Sequence, residues 1–347
     1  MKPHLDSIVY IRAVACAAVV AIHIGALYLA NPTPNLQLVA LFSIVSRFAV
    51  PIFFFLSAFG IFYQLDSSKP FNFSNFYRRR ARAVLLPYIL WSAFYLIHDS
   101  YFFDFPLPDF YSTCEIFACG LAKFHLYFLV ILCNFYLLIP LWLFIVPRLN
   151  FCSLFPFLAS QIAFNFWATP ALSAFCSFHL NWLPLNYLFI FLLGAYLARH
   201  SLSFFHCCDG HKKIVSITFL ITLTILIGYY YFLIYLRNFS PLEAVNTAHQ
   251  LSPPGILYTI ATSIFLFTLF QFCKLPALLK KFLTLLGKNS YFVYLAHPLV
   301  ITYLSLGLDK LGQVMTATNA LILYIVTIAV TLLIKLLYQK LLQLFQR

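Results

Sequence analysis

Acidic residues are what this sequence most lacks: nine Asp and Glu occur in 347 residues, and charged residues of all types make up only 9%. A soluble domain is roughly one quarter charged. So few charges cannot cover a water-facing surface, which excludes a soluble enzyme or binding module and leaves an integral membrane protein. Mean hydropathy is +0.91, and the apolar character runs from about residue 8 to 345, so a single membrane domain over 1–347 is expected. Methionine is nearly absent, at two residues, and no physical reason for that is evident. Nine cysteines are scattered, mostly inside apolar runs as small buried hydrophobes, so no disulfide framework is implied, although Cys114 and Cys119 share one loop. "HCCDGH" at 206–211 has metal-ligating atoms, but so compact a run more often marks a polar turn, and no metal is expected.

What is present is basic and aromatic. The net charge of +13 sits in short Lys/Arg clusters between apolar runs, the pattern of the positive-inside rule and not of a nucleic-acid surface. Forty-one Phe and 22 Tyr suit lipid-facing surfaces and interfacial belts. Spans need about 20 apolar residues, and such runs centre near residues 19, 51, 90, 135, 160, 190, 224, 264, 298 and 329. The expected fold is an all-α polytopic bundle of about ten transmembrane helices with both termini cytoplasmic; 151–199 also reads as one long span plus a re-entrant piece. In that arrangement the Lys and Arg of nearly every inner connection fall on the cytoplasmic side, and Lys123, Arg237 and Lys310 are the few outside. Asp99, Asp104, Asp109 and Glu115 collect in the connection 99–123, whose prolines and aromatics predict a folded cap at the outer surface. The first run exceeds a signal-peptide core and carries Arg12, so it is expected to remain as the first helix. No internal repeat marks an inverted-repeat transporter.

Ionisable side chains inside spans are costly and point to function. In "YIRAVACAAVVAIHIGALYLA" eleven helical steps bring His23 to within about 20° of Arg12 and about 16 Å further along the same face. "FYRRRARAVLLPY" places Arg78, Arg79, Arg80 and Arg82 at the start of the third span, with Arg79 and Arg82 sharing a face suited to gripping phosphates, or simply anchoring the inner membrane edge. "SRFAVPIFFFLSAF" puts Arg47 just above Pro51, which should bend the second span and open space near His23. "LGKNSYFVYLAHPLV" places His297 near mid-membrane, and His125 and Glu115 stand at the outer end of the fourth span. Together these residues describe a polar chamber running from inner arginines to outer-half histidines.

Taken in order, these motifs resemble the membrane acyltransferase-3 family, whose members O-acylate bacterial surface glycans and other acceptors. The likeness covers nearly the whole chain: "LDSIVYIRAVACAAVVAIH" with Arg12 and His23, "VPIFFFLSAFGI", the Arg79, Arg82 and Pro87 stretch, "FHLYFLVILCNFYLLIPL", and "LGKNSYFVYLAHPLV". Ala58 stands where the family usually has glycine, and Tyr127 where tryptophan is common. The resemblance implies a stand-alone form without the hydrolase-like domain some members carry. It also implies catalysis centred on His23 and Arg12, with Arg79 and Arg82 helping to hold the donor; the residues themselves add Arg78 to that cluster and Arg47, His125, His297 and Glu115 as the lining of the substrate chamber. The expected partners are acyl-CoA as co-substrate, a surface or lipid-linked glycan acceptor, the lipid bilayer of a bacterial cytoplasmic membrane, and further copies of the chain or glycan-synthesis machinery; no resident cofactor and no nucleic acid are expected.

The chemistry suits the residues independently. Acyl transfer from a thioester to a hydroxyl needs a base near neutral pH, which histidine provides, and a cation or hydroxyl for the developing oxyanion, for which Arg47 is placed. Direct transfer and an acyl-enzyme route both remain open. A glycan exporter or flippase is the competing class, since ten helices and buried arginines fit it too; a non-enzymatic scaffold leaves the intramembrane charge unexplained.

Overall fold

The computed structural model describes residues 5–30, 35–65, 69–168, 183–312 and 316–345. Among these residues the regular structure is entirely helical. In chain order, α1 spans Asp6–Leu29, α2 Leu36–Val45 and α3 Ala49–Gln64. α4 (Phe73–Arg80) passes through a π-turn at Ala81–Leu85 into α5 (Leu86–Phe103), followed by α6 (Phe110–Cys119), α7 (Tyr127–Leu137), α8 (Ile139–Ile145) and α9 (Leu154–Ala163). Then come α10 (Leu188–Arg199), α11 (Ser201–Gly210), α12 (Lys212–Arg237) and α13 (Pro241–Thr247), and finally α14 (Pro253–Phe272), α15 (Ala277–Lys310) and α16 (Ala317–Phe345).

The chain is a polytopic helical membrane protein, with fewer plain spans than the ten expected. Seven described segments are long and apolar enough to cross unaided: 6–29, 36–64, 73–103, 212–237, 253–272, 277–310 and 317–344. Two more require a bent pair to count as one span, α7 with 139–148 at 59° and 184–199 with α11 at 92°. The first bend has a local cause: Pro140 has no N–H, so the Tyr136 carbonyl four residues back loses its helical donor. The tenth expected position falls on the short apolar helix Leu154–Ala168, about 22 Å long against a hydrocarbon core of about 30 Å. Residues 169–182, which follow it, lie outside the described residues.

Helix contacts divide the chain into two compact units. A terminal unit is built from both ends of the chain, Lys2–Leu56 and His200–Arg347; a central unit comprises Ser57–Arg199. In the terminal unit α1 packs against α2, α14, α15 and α16. Its run of small residues lets neighbours approach on all sides, and Ala13, Ala15, Cys16, Val20 and Ala21 are all essentially buried. By contrast α12 keeps Ile214, Ile217, Leu220, Ile221 and Ile225 exposed, the apolar surface that lipid covers.

Three contacts fix the register of α1 on α15. A Cβ on Gly287 would lie 2.0 Å from the Val9 carbonyl oxygen, so only glycine permits this approach. The Cys16 thiol donates to the Ser290 carbonyl at 3.5 Å, and the His23 ring stacks on the His297 ring. Residue numbers rise together on both helices, so the two run parallel. Between the last two contacts each helix advances seven residues, two turns, as in knobs-into-holes packing. A parallel pair requires an odd number of crossings between its members.

The central unit is held by aromatic packing. Phe135 and Phe191 stack at 4.3 Å with an interplanar angle of 8°, and the Trp142 indole N–H donates to the Phe135 carbonyl at 2.9 Å. Buried Gln161 accepts from the Phe189 N–H at 2.8 Å, satisfying a free amide in the first turn of α10. Of the connection expected at 99–123, residues 99–103 continue α5 and the rest carries a helix of its own: Asp109 caps α6 through the Ser112 N–H at 2.8 Å, and Gly120, at φ +71°, ends it. A side chain at Gly120 would strike the Tyr127 backbone.

Candidate active site

His297 is fully buried in α15 and is followed by Pro298 inside the helix. Proline has no N–H, so the Tyr294 carbonyl, four residues earlier, loses its normal donor. The imidazole of His297 takes that place: Nδ1 lies 2.8 Å from the Tyr294 oxygen and 3.1 Å from the Val293 oxygen. Both partners are acceptors only, so Nδ1 must carry a proton, and in the neutral ring Nε2 is left with its lone pair. The His-Pro pair is therefore a device that fixes a ring's orientation and tautomer with the helix's own backbone.

His23 meets this ring face to face, with centroids 5.1 Å apart and planes inclined by 29°. It is only partly buried, although it lies in the interior stretch of α1. The pair thus has an enclosed member, His297, and a member with some accessible surface, His23. Arg12, on the same helix, is also half-buried.

Arg47 sits in the break between α2 and α3, in the turn 46–48. Pro51 accounts for the interruption: its missing N–H and its ring both act on the Arg47 carbonyl, four residues before it. The turn is tightened by Ser46 N–H to Ser43 O at 3.2 Å and Arg47 N–H to Ile44 O at 3.0 Å. It is held from α14 by the Tyr258 hydroxyl, which donates to the Val45 carbonyl at 2.9 Å. Gly25, two residues past His23, lets α2 approach α1 closely: a Cβ there would lie 2.8 Å from the Ser43 Cβ. The positive charge of Arg47 consequently bears on His23 and also on His249.

His249 was not among the residues singled out from the sequence. It lies in the connection between α13 and α14, and its ring is tied to that connection: Nδ1 accepts the Leu251 N–H at 3.0 Å. Its carbonyl accepts from the Ser252 hydroxyl at 2.7 Å and the Ser252 N–H at 3.1 Å. Gly255 is required beside it, since a Cβ would lie 2.2 Å from the His249 oxygen. Burial, and next the charge of Arg47, push the His249 imidazole down to about 4, so it is neutral at physiological pH. The sequence signal was the run "HQLSPPG", in which Ser252 caps a helix opening on two prolines and Gly255 stands where backbone is close.

The other candidates belong to the central unit. Arg78, Arg79 and Arg82 are exposed, the first two on α4 and Arg82 in the π-turn. That wider turn alters the helical phase between Arg79 and Arg82 from the simple three-residue spacing expected; π-turns recur at functional sites. Arg80 is engaged by rings, 5.3 Å over Phe76 and 4.8 Å over Tyr136, and the Tyr136 hydroxyl lies 2.9 Å from the Ser57 Oγ. His125 is buried, edge-on to Tyr95 at 5.9 Å. Glu115 is exposed on α6. Near His125, Lys123 pairs with Asp99 at 2.6 Å, and Asp99 also meets the His98 Nδ1 at 2.9 Å.

Among the described residues no three His, Cys, Asp or Glu side chains converge as metal ligands. The "HCCDGH" run lies mainly in α11 and not in a turn, and its Asp209 pairs with Lys212 at 2.6 Å. Cys114 and Cys119 are free thiols on α6. A cleft of about 500 Å³ beside the first turns of α15 is lined by Lys280, Lys281, Thr284 and Lys288.

What the terminal unit assembles is a fixed-tautomer histidine behind an accessible one, with a guanidinium in a helix break beside them. That set can accept a proton, hold it, and stabilise an anion forming nearby, which is what moving an acyl group between oxygen or sulfur atoms requires. Comparisons with curated proteins and with solved structures give no match. A family model described as an acyltransferase domain matches residues 5–336. With nearly its whole length covered, and with the histidine pair and Arg47 in place, the chain belongs to the acyltransferase-3 family and is a multi-pass membrane acyltransferase.

Proposed function

We propose that this protein takes an acyl group, acetyl in the first place with succinyl as the alternative, from cytoplasmic acyl-CoA and transfers it to a hydroxyl of a surface or lipid-linked glycan at the bacterial cytoplasmic membrane. The observation that carries the reading is the stack of His23 on His297, the latter fixed by backbone carbonyls. In this reading His23 removes the acceptor hydroxyl's proton as oxygen attacks the thioester carbonyl. The C–O bond forms, the tetrahedral intermediate collapses with loss of the C–S bond, and the proton passes to the departing thiolate. Arg47 faces the oxyanion. Arg78, Arg79 and Arg82 supply the cations for the donor's phosphates, and Arg12 is available to the same end.

The test compares surface glycan from wild-type cells, a deletion strain, and the deletion strain carrying His23→Ala. The expected result is a mass difference of one acyl group per repeat, present only with the wild-type gene. Unmodified glycan retained inside deletion cells would instead place the protein in export.

A further inference from the structure

Arg47 carries a full positive charge, but a guanidinium at the end of a flexible stem orients an oxyanion poorly by itself. A second donor of fixed direction would complete the site, and His249 has the form of one. Its Nδ1 is occupied by the Leu251 N–H, so in the neutral ring the proton is on Nε2, the far edge. Its backbone is clamped by Ser252 and by the close approach at Gly255, and the Leu251 bond sets the direction of the ring. The helix it follows, α13, packs against α2 and α1, and the helix it precedes holds the Arg47 turn through Tyr258. A rigid neutral N–H beside a cation is suited to a carbonyl oxygen that becomes negative.

Resting on the acyl-transfer reading above, we infer that His249 is a further catalytic residue: its Nε2–H and the Arg47 guanidinium together bind the carbonyl oxygen of the acyl group and stabilise the oxyanion while His23 moves the proton. The division of work is one base and two anion donors, drawn from three separate parts of the chain. No proton leaves His249 during the cycle.

The test uses the full-length protein in membrane vesicles from a strain lacking the gene, with radiolabelled acetyl-CoA as donor, measuring label passed to the glycan fraction. His249→Asn keeps an acceptor for the Leu251 N–H but ends one bond short of Nε2. It is expected to remain folded and to lose about 100-fold in kcat, the usual cost of one oxyanion donor, with KM for acetyl-CoA within about twofold. His249→Gln, whose amide nitrogen reaches the Nε2 position without being basic, is expected to recover about tenfold of that loss. A kcat for His249→Asn within about threefold of wild type, a loss confined to KM, or equal loss in both variants would overturn the assignment. If the wild-type protein itself transfers no label under these conditions, it is the acyl-transfer reading that fails.

Discussion

The histidines of the terminal unit and the arginines of the central unit are held in opposite ways. His297 is sealed in a helix, its Nδ1 bonded to backbone, and His23 stands against it. Arg78, Arg79 and Arg82 are exposed on α4 and the π-turn that follows. Groups that must move a proton need a fixed direction and exclusion from water. Groups that grip a flexible diphosphate need reach, and exposure costs a guanidinium little because it stays charged at any physiological pH. Burial thus separates the residues expected to govern turnover from those expected to govern donor affinity.

The largest effect should come from the histidine pair. His23→Ala is expected to reduce transfer at least about 10³-fold without lowering yield of the folded protein; ordinary turnover in that variant would end the comparison. Next is the pH dependence of stability. His249 is held neutral, with its value pushed down to about 4 from 6.5. The unfolded chain therefore binds a proton that the folded one refuses, and stability is full above about pH 6.5 and falls progressively toward pH 4. A drop of 2.5 in pKa corresponds to about 3 kcal/mol at most, or a factor of about 10² in the folding equilibrium. Melting temperatures at pH 7 and pH 4.5 would show it, and His249→Asn should flatten that slope.

The exposed side gives a smaller and differently shaped response. Replacing Arg78, Arg79 and Arg82 together by Gln is expected to raise KM for acetyl-CoA about 30-fold with kcat nearly unchanged. The wild-type KM should climb with added salt, because exposed charges are screened; a fall in kcat alone would show these arginines acting in chemistry. Smallest is Pro298→Ala. Restoring an N–H to the Tyr294 carbonyl lets the His297 ring leave it, and kcat is expected to fall about fivefold while thermal stability holds or rises. A loss of stability with unchanged kcat would mean that the proline serves packing and not ring orientation.

The scarcity of charge was enough to read a helical membrane protein from the sequence. The intramembrane positions of His23, His297 and Arg47 were visible because each breaks an apolar run. Pro51 announced the break that carries Arg47. The bend at Pro140 had the same kind of signal but was read as an uninterrupted span, since its flanks are apolar on both sides. His249 was missed because a histidine between two helices looks like any connecting residue. Its significance comes from the fold of that connection around Ser252 and Gly255 and from proximity to Arg47, neither of which a linear pattern contains. The π-turn under Arg82 was equally invisible, since hydrogen bonds one residue longer than usual leave no compositional mark.

The seating of α1 on α15 has a consequence for how the protein comes into being. Cys16 and Ser290 are 274 residues apart, and His23 and His297 have the same separation. The ribosome has finished more than four fifths of the chain before the second imidazole exists. The first helix enters the membrane with its histidine facing lipid or a provisional neighbour, and it must wait for a late helix to slide in alongside at the glycine that admits it. On the mechanism proposed above, reactivity therefore arrives as one of the closing events of biogenesis, and a chain released before α15 would lack half of the histidine pair.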